Sequence, residues 1–182
     1  MQLKLANSRE ELEQILILQN ENHFDNLSRQ LRKVDGFVTV RHDIEMLMHM
    51  NSLAKQVIAV VDEKVVGYAL VMLKELKNLI PVLIPMFNSF ERIKYNNTTL
   101  DKLNYYVMGQ ICIAKEYRGK GVFKALYEKH KEIYSPKYDL CITEVSTSNE
   151  RSIIAHEKIG FKTNCTFKDA NDEWNIICWN WS

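Results

Sequence analysis

The chain has 182 residues, 46% hydrophobic and 26% charged, with few glycines and prolines; this is a globular composition with length for one full-sized core. A net charge of +1 lacks the cationic excess of a general nucleic-acid binder, so no nucleic-acid partner is expected. The longest apolar run, LIPVLIPMF, is too short to span a bilayer, and the start, MQLKLANSREELEQ, has no apolar signal core, so a cytoplasmic chain with no membrane partner is expected.

In chain order, QLKLA reads as a strand and NSREELEQILILQNENHF as a helix. Ser8 with Glu11 makes a capping box, and Leu12, Ile15, Leu16 and Gln19 follow at helical spacing. Residues 26–55 give a polar helical turn, a short GFVTV and a helix around IEMLMHMNSLA. In QVIAVV-DEK-VVGYALVML two β-branched runs flank an acidic turn, the mark of a hairpin. KNLIPVLIPMFNSFERIKYNNTT holds a helix over residues 85–92 within a longer connection. NYYVMGQICIA is a strand and GVFKALYEKHKEIY a helix. YDLCITEVS is a strand and NERSIIAHEKIGF a short helix that Gly160 ends. KTNCTFKD and EWNIICWNW close the chain as a hairpin. The order βα(α)ββ(α)βαβαββ, without linker or repeat, reads as one α/β domain over residues 1–182 with a mixed sheet.

The four cysteines, Cys112, Cys141, Cys165 and Cys178, lie far apart in strand-like runs, without C-x-x-C spacing, and read as reduced core residues. Arg41, His42 and Asp43 with His49 lack i, i+4 metal spacing, so no metal is expected. Met46, Met48 and Met50 read as helix packing. The Trp-rich tail reads as core and homodimer contact, and Phe87, Phe90 and Tyr95 are candidate walls of an acceptor pocket.

The segment EYRGKGVFKAL raises the functional question. It places two glycines in three residues, Gly119 and Gly121, between a strand and a helix, at a cost in backbone entropy. Glycines there let the backbone approach a ligand, and the free N–H groups of the first helical turn favour an anion. With Arg118 and Lys120 alongside, the turn suits phosphate, above all pyrophosphate. Val122 after Gly121 rules out a Walker loop, and Lys124 stands where a dinucleotide fingerprint needs its third glycine.

One strand later comes EVSTSNERSIIAHEKIGF. Together these segments resemble the GNAT superfamily of acyl-CoA-dependent N-acetyltransferases. Arg118 and Gly121 match its Q/R-x-x-G-x-G/A motif; Asn149, His156, Glu157, Gly160 and Phe161 sit at the spacing of its second motif. The match covers about residues 105–162 and departs at Phe123, usually Gly or Ala, and at His156, usually Tyr. The resemblance implies a mixed central sheet of six to seven strands flanked by helices, and acetyl-CoA as co-substrate, with no metal. It implies that backbone amides of Gly119, Lys120, Gly121, Val122 and Phe123, with Arg118, grip the pyrophosphate. It also implies that Ile111, Cys112 and Ile113 present amides to the pantetheine arm and carbonyl, much as an oxyanion hole does, and that Asn149 contacts that arm while capping a helix.

Amine acetylation needs a base and, for the departing thiolate, a proton. Alternation along LCITEVS puts Leu140, Ile142 and Glu144 on one face, and a carboxylate ending an apolar face has its pKa raised toward that of a useful base. An exposed strand-end Glu is the other reading. His156 is the candidate acid, in which case His156→Phe lowers kcat and spares acetyl-CoA affinity; a core or cap histidine is the other reading. Gln110 cannot be a base but could orient water or substrate. The expected function is transfer of an acetyl group to an amine of a small molecule, a peptide N-terminus or a lysine, by direct attack in a ternary complex. An inactive acyl-CoA sensor and a nucleotide-phosphate binder are the other classes the sequence leaves open.

Overall fold

In this computed structural model, residues 1–81, 84–170 and 172–181 are described. Strand β1 (Gln2–Leu5) leads to α1 (Arg9–Glu21), then α2 (Arg29–Asp35) and α3 (Ile44–Leu53). Ser8, Ser28 and Asp43 cap these helices, each side chain accepting a backbone N–H of the first turn. The hairpin β2 (Val57–Val61) and β3 (Lys64–Met72) turns through Asp62 and Glu63 at φ of 47° and 64°. Two left-handed residues in a two-residue loop match the right-handed twist of the strands. Gln14 of α1 holds this turn, accepting from Val65 N–H and donating to Glu63 O.

The helix expected at residues 85–92 is α4 (Ile84–Ser89), and a small hairpin unseen in the sequence follows it, β4 (Lys94–Tyr95) with β5 (Thr98–Thr99). Next come β6 (Tyr105–Ile113), α5 (Val122–Tyr134), β7 (Leu140–Ser146), α6 (Glu150–Glu157), β8 (Lys162–Lys168) and β9 (Glu173–Asn180). GFVTV forms no strand; Val38 makes one isolated bridge to His23, and residues 36–43 run as a strap between α2 and α3.

One seven-stranded sheet runs β1-β2-β3-β6-β7-β9-β8. Every pairing is antiparallel except β6 with β7. Alternation splits the apolar residues between two cores. On one face Ile15 of α1, Leu47 of α3 and Phe87 of α4 pack over Leu140, Ile142 and Ile176. On the other, Val122, Leu126 and Tyr127 of α5 pack over Ala69, Cys141 and Ile177. Phe87 and Phe90 are buried in the first core and Tyr95 packs against it, which corrects their reading as pocket walls. Met50 is buried, whereas Met48 is exposed. Trp179 and Trp181 of the tail join the second core. The four cysteines are free thiols, three of them buried.

Candidate active site

Strands β6 and β7 pair over only three rungs, from Tyr105 opposite Leu140 to Val107 opposite Ile142. Beyond these, Gly109 is an extra residue in β6: Met108 faces Val71 and Gln110 faces Leu70 on β3. Such a bulge bends and twists its strand. It carries β6 away from β7 and opens a wedge through the sheet. Ala114 N–H points to Val66 O on β3, and Ile113 O points the other way, to Arg118 Nε at 2.9 Å. By alternation Ile111 and Ile113 aim their backbone groups into the wedge, while those of Cys112 face β3. Of the three residues expected to present amides there, two fit and Cys112 does not.

On the α5/α6 side the wedge widens into a cleft of about 380 Å³, lined among others by Phe37, Ile111, Gly121, Phe123, Arg151 and Lys158. Gly119 and Gly121 adopt φ of 71° and 82°. A Cβ at either would meet nothing within 4 Å, so the left-handed turn itself, not crowding, demands glycine. Gly121 is the N-cap of α5 and offers no side-chain cap, which leaves the first-turn N–H groups without partners in the helix. Phe123 lines the cleft and packs against the second core. It is half-buried and packs edge-on to His156 and tilted on Tyr127, with ring centroids 5.1 Å apart in both cases.

The two cations expected to hold phosphate are placed differently. Arg118 is bound to Ile113 O, Asn22 Oδ1 and Asp35, whose carboxylate lies 3.2 Å away. It joins the end of β6 to the ends of α1 and α2. Lys120 is exposed beside the Tyr117 ring and lies outside the cleft lining. The cationic side chains that do line the cleft are Arg118, Lys124, Arg151 and Lys158. Arg151 and Lys158 escaped the sequence reading, although with Ala155 between them they follow a helical i, i+4, i+7 spacing.

Asn149 caps α6 by accepting from Ser152 N–H at 3.4 Å and donates to Phe37 O at 3.1 Å. On the other side of the wedge Gln110 Nε2 donates to Val40 O at 2.9 Å, and Gln110 Oε1 accepts from Tyr68 and Gln19. Gln19 also bonds His42. The strap thus crosses the mouth of the wedge, anchored at both sides. His42 serves this buried network and Asp43 caps α3; among the described residues no His, Cys, Asp and Glu cluster could hold a metal.

Beneath the strap, the wedge ends in a pocket of about 70 Å³ whose lining includes Val40, Gln110, Glu144, Ser146, His156 and Trp174. Glu144 lies on the face opposite α5 and α6, as the alternation required. Burial, with a smaller contribution from the negative charge of Asp169, pushes its pKa up to about 8. Its Oε2 is buried without a hydrogen-bond partner among the described residues.

His156 enters the same region from the α6 side and is 2% exposed. Its Nδ1–H donates to Ser152 O at 2.7 Å, which makes Nε2 the acceptor for Tyr127 O–H at 2.6 Å. Burial holds the ring neutral, with a pKa of about 4. The ring's one proton, on Nδ1, is held by Ser152 O and Nε2 is occupied by the Tyr127 hydroxyl, so the geometry does not support the proton-donor reading. His156→Phe is expected to orphan the buried Tyr127 hydroxyl, costing about 1–3 kcal/mol. Thermal melting should register that loss and the double variant with Tyr127→Phe should recover part of it. Turnover per folded molecule should stay well short of the hundredfold loss that removing a general acid brings; a drop of that size would restore His156 to the chemistry.

The sequence matches the acetyltransferase (GNAT) family over residues 24–161. Among solved structures, a GNAT-family acetyltransferase from Streptococcus agalactiae is 18% identical with a TM-score of 0.66, covering 100% of this chain and 95% of that one. The ribosomal-protein alanine N-acetyltransferase of Escherichia coli is 12% identical with a TM-score of 0.63, covering 100% and 94%. A NatC complex bound to Gag peptide and CoA contains a chain 11% identical with a TM-score of 0.65, covering 100% and 98%. These likenesses show the fold. No curated protein sequence matches the chain.

Proposed function

The chain belongs to the GNAT acetyltransferase family, and from that premise we propose that it transfers an acetyl group from acetyl-CoA to an amine by direct attack in a ternary complex. One observation carries this reading: the wedge between β6 and β7 connects an uncapped, glycine-framed helix N-terminus on one face of the sheet with a carboxyl on the other whose Oε2 is buried without a partner among the described residues. The two ends suit the two substrates of an acyl transfer, an anionic carrier and a cationic amine.

The amides of Val122, Phe123 and Lys124 would hold the pyrophosphate, with Lys124, Arg151 and Lys158 around it. The backbone N–H groups of Ile111 and Ile113 would meet the pantetheine arm and the thioester oxygen, where charge develops in the transition state. Bound acetyl-CoA supplies an activated carbonyl: the amine nitrogen forms the C–N bond, the C–S bond breaks, and the thiolate departs. Glu144 is the base that takes the amine proton, its raised pKa matching that task near neutral pH. A thiol with a pKa near 8.5 leaves readily as the thiolate at such pH, so this scheme needs no donor in the place of His156. Asn149 and Gln110 act indirectly, by fixing the strap over the wedge. The free thiols suit a reducing compartment, and we assign the protein to the cytoplasm on that ground.

A calorimetric titration with acetyl-CoA, with ATP and NADH as controls, tests the cofactor. Micromolar binding of acetyl-CoA alone, followed by amine-dependent thiol release, is the expected result. Binding without release to any amine would mark an acyl-CoA sensor, and absence of binding would remove the acyl-transfer reading.

A further inference from the structure

Two buried polar atoms at the inner end of the wedge have no hydrogen-bond partner among the described residues: Glu144 Oε2 and Trp174 Nε1. Both side chains line the same pocket. The register explains why. Glu144 of β7 faces Ile176 of β9, and Ser146 faces Trp174. Opposed residues of an antiparallel pair share a sheet face, so Glu144 and Trp174 are diagonal neighbours, a spacing that long side chains bridge. An orphaned buried donor or acceptor is costly and rare. An acid and an N–H donor left open side by side therefore describe the complement they would accept: a ligand with an amine next to a hydrogen-bond acceptor.

The surroundings narrow that ligand further. Asp169 acts electrostatically on Glu144, Asp172 accepts from Ser146 Oγ at 2.6 Å, and Glu173 precedes Trp174. Negative charge around the pocket favours a protonated amine and disfavours a free carboxylate beside it. Resting on the acyl-transfer reading above, we propose that the acceptor is an α-amine followed by an amide carbonyl, as at a peptide N-terminus, with Glu144 taking the amine and the Trp174 indole N–H donating to the carbonyl oxygen. A lysine side chain or a simple alkylamine satisfies only the first of these groups. A free amino acid satisfies both but brings its carboxylate against the acidic rim.

The test uses the full chain with acetyl-CoA and four acceptors: alaninamide, alanine, α-N-blocked lysine amide and n-butylamine. Alaninamide is expected to give the highest kcat/KM. Trp174→Phe keeps the aromatic packing and removes the donor, and the ratio of kcat/KM for alaninamide over n-butylamine should fall about tenfold, the scale of one buried hydrogen bond. A second readout does not depend on turnover. In the nitrogen-15 spectrum of the CoA-bound protein, the indole signal absent from Trp174→Phe should shift when alaninamide is added and stay in place with n-butylamine. Thiol release that is as fast with n-butylamine or blocked lysine, with the ratio unmoved by Trp174→Phe, overturns the acceptor assignment and leaves the transferase reading intact. An indole signal unmoved by alaninamide also overturns the assignment, because the Trp174 N–H then makes no bond to the acceptor. No acetyl-CoA binding and no thiol release with any acceptor overturns both.

Discussion

Glu144→Gln is expected to lower kcat about a hundredfold or more, the scale on which a positioned base contributes, while acetyl-CoA affinity stays as in the wild type. Gln keeps the shape of the side chain and removes its capacity to accept the amine proton. In the wild type, kcat should rise with pH through the carboxyl's pKa of about 8, because only the ionised form is a base. The Gln variant should lose that limb. Stability should move in the opposite sense. The folded-state pKa of about 8 lies above the ordinary value of 4.5, so the fold prefers the neutral carboxyl. That preference is fully present below pH 4.5 and is lost as pH rises to about 8 and beyond. Forcing the buried group to ionise costs on the order of several kcal/mol. Glu144→Gln should therefore melt several degrees higher than the wild type at pH 8.5 and nearly with it at pH 4. Rate profiles and melting curves across pH check both halves. A variant that keeps its activity and its pH dependence would dismiss Glu144 as the base.

Gly121→Ala is expected to weaken acetyl-CoA binding about tenfold, measured by calorimetry, through backbone strain in the turn that presents the first-turn amides. The residue sits at φ 82°, where an L side chain costs about 1–2 kcal/mol. Its Cβ would meet nothing within 4 Å, so the loss comes from the turn relaxing away from φ 82° and carrying the first-turn amides of α5 with it. Lys120→Ala is the matched control, since Lys120 lies beside the Tyr117 ring and outside the cleft lining. It should change affinity far less. Equal losses in the two variants would mean that charge along the turn, rather than its backbone, holds the cofactor.

Several parts of this molecule were readable because they depend on neighbours along the chain. Ser8 and Asn149 cap their helices through contacts three residues away. The β-branched runs around Asp62 and Glu63 formed the expected hairpin. Alternation placed Glu144 on the face of Leu140 and Ile142, and the glycine turn emerged as an uncapped helix start. The strap defeated the same approach. GFVTV has strand-like residues, but its hydrogen bonds go to Asn22, Phe24, His23, Gln110 and Asn149, which no local pattern reveals.

The roles of charged and aromatic residues at the site were decided later still. Arg118 followed two glycine-turn cues toward phosphate, yet Asn22 and Asp35, remote in sequence, claim its guanidinium. His156 lay at a catalytic spacing, yet Tyr127 and Ser152 occupy both ring nitrogens. Trp174 reads from the sequence as one packing residue of an aromatic tail, and only the β7–β9 register sets it beside Glu144. By itself the sequence determined the order of the seven main-sheet strands and the helices between them, the family and the glycine-framed helix start, because periodicity, capping and turn chemistry act over a few residues. The tertiary structure alone decided which polar groups are already satisfied and which remain open, because a hydrogen-bond partner is chosen by proximity in space.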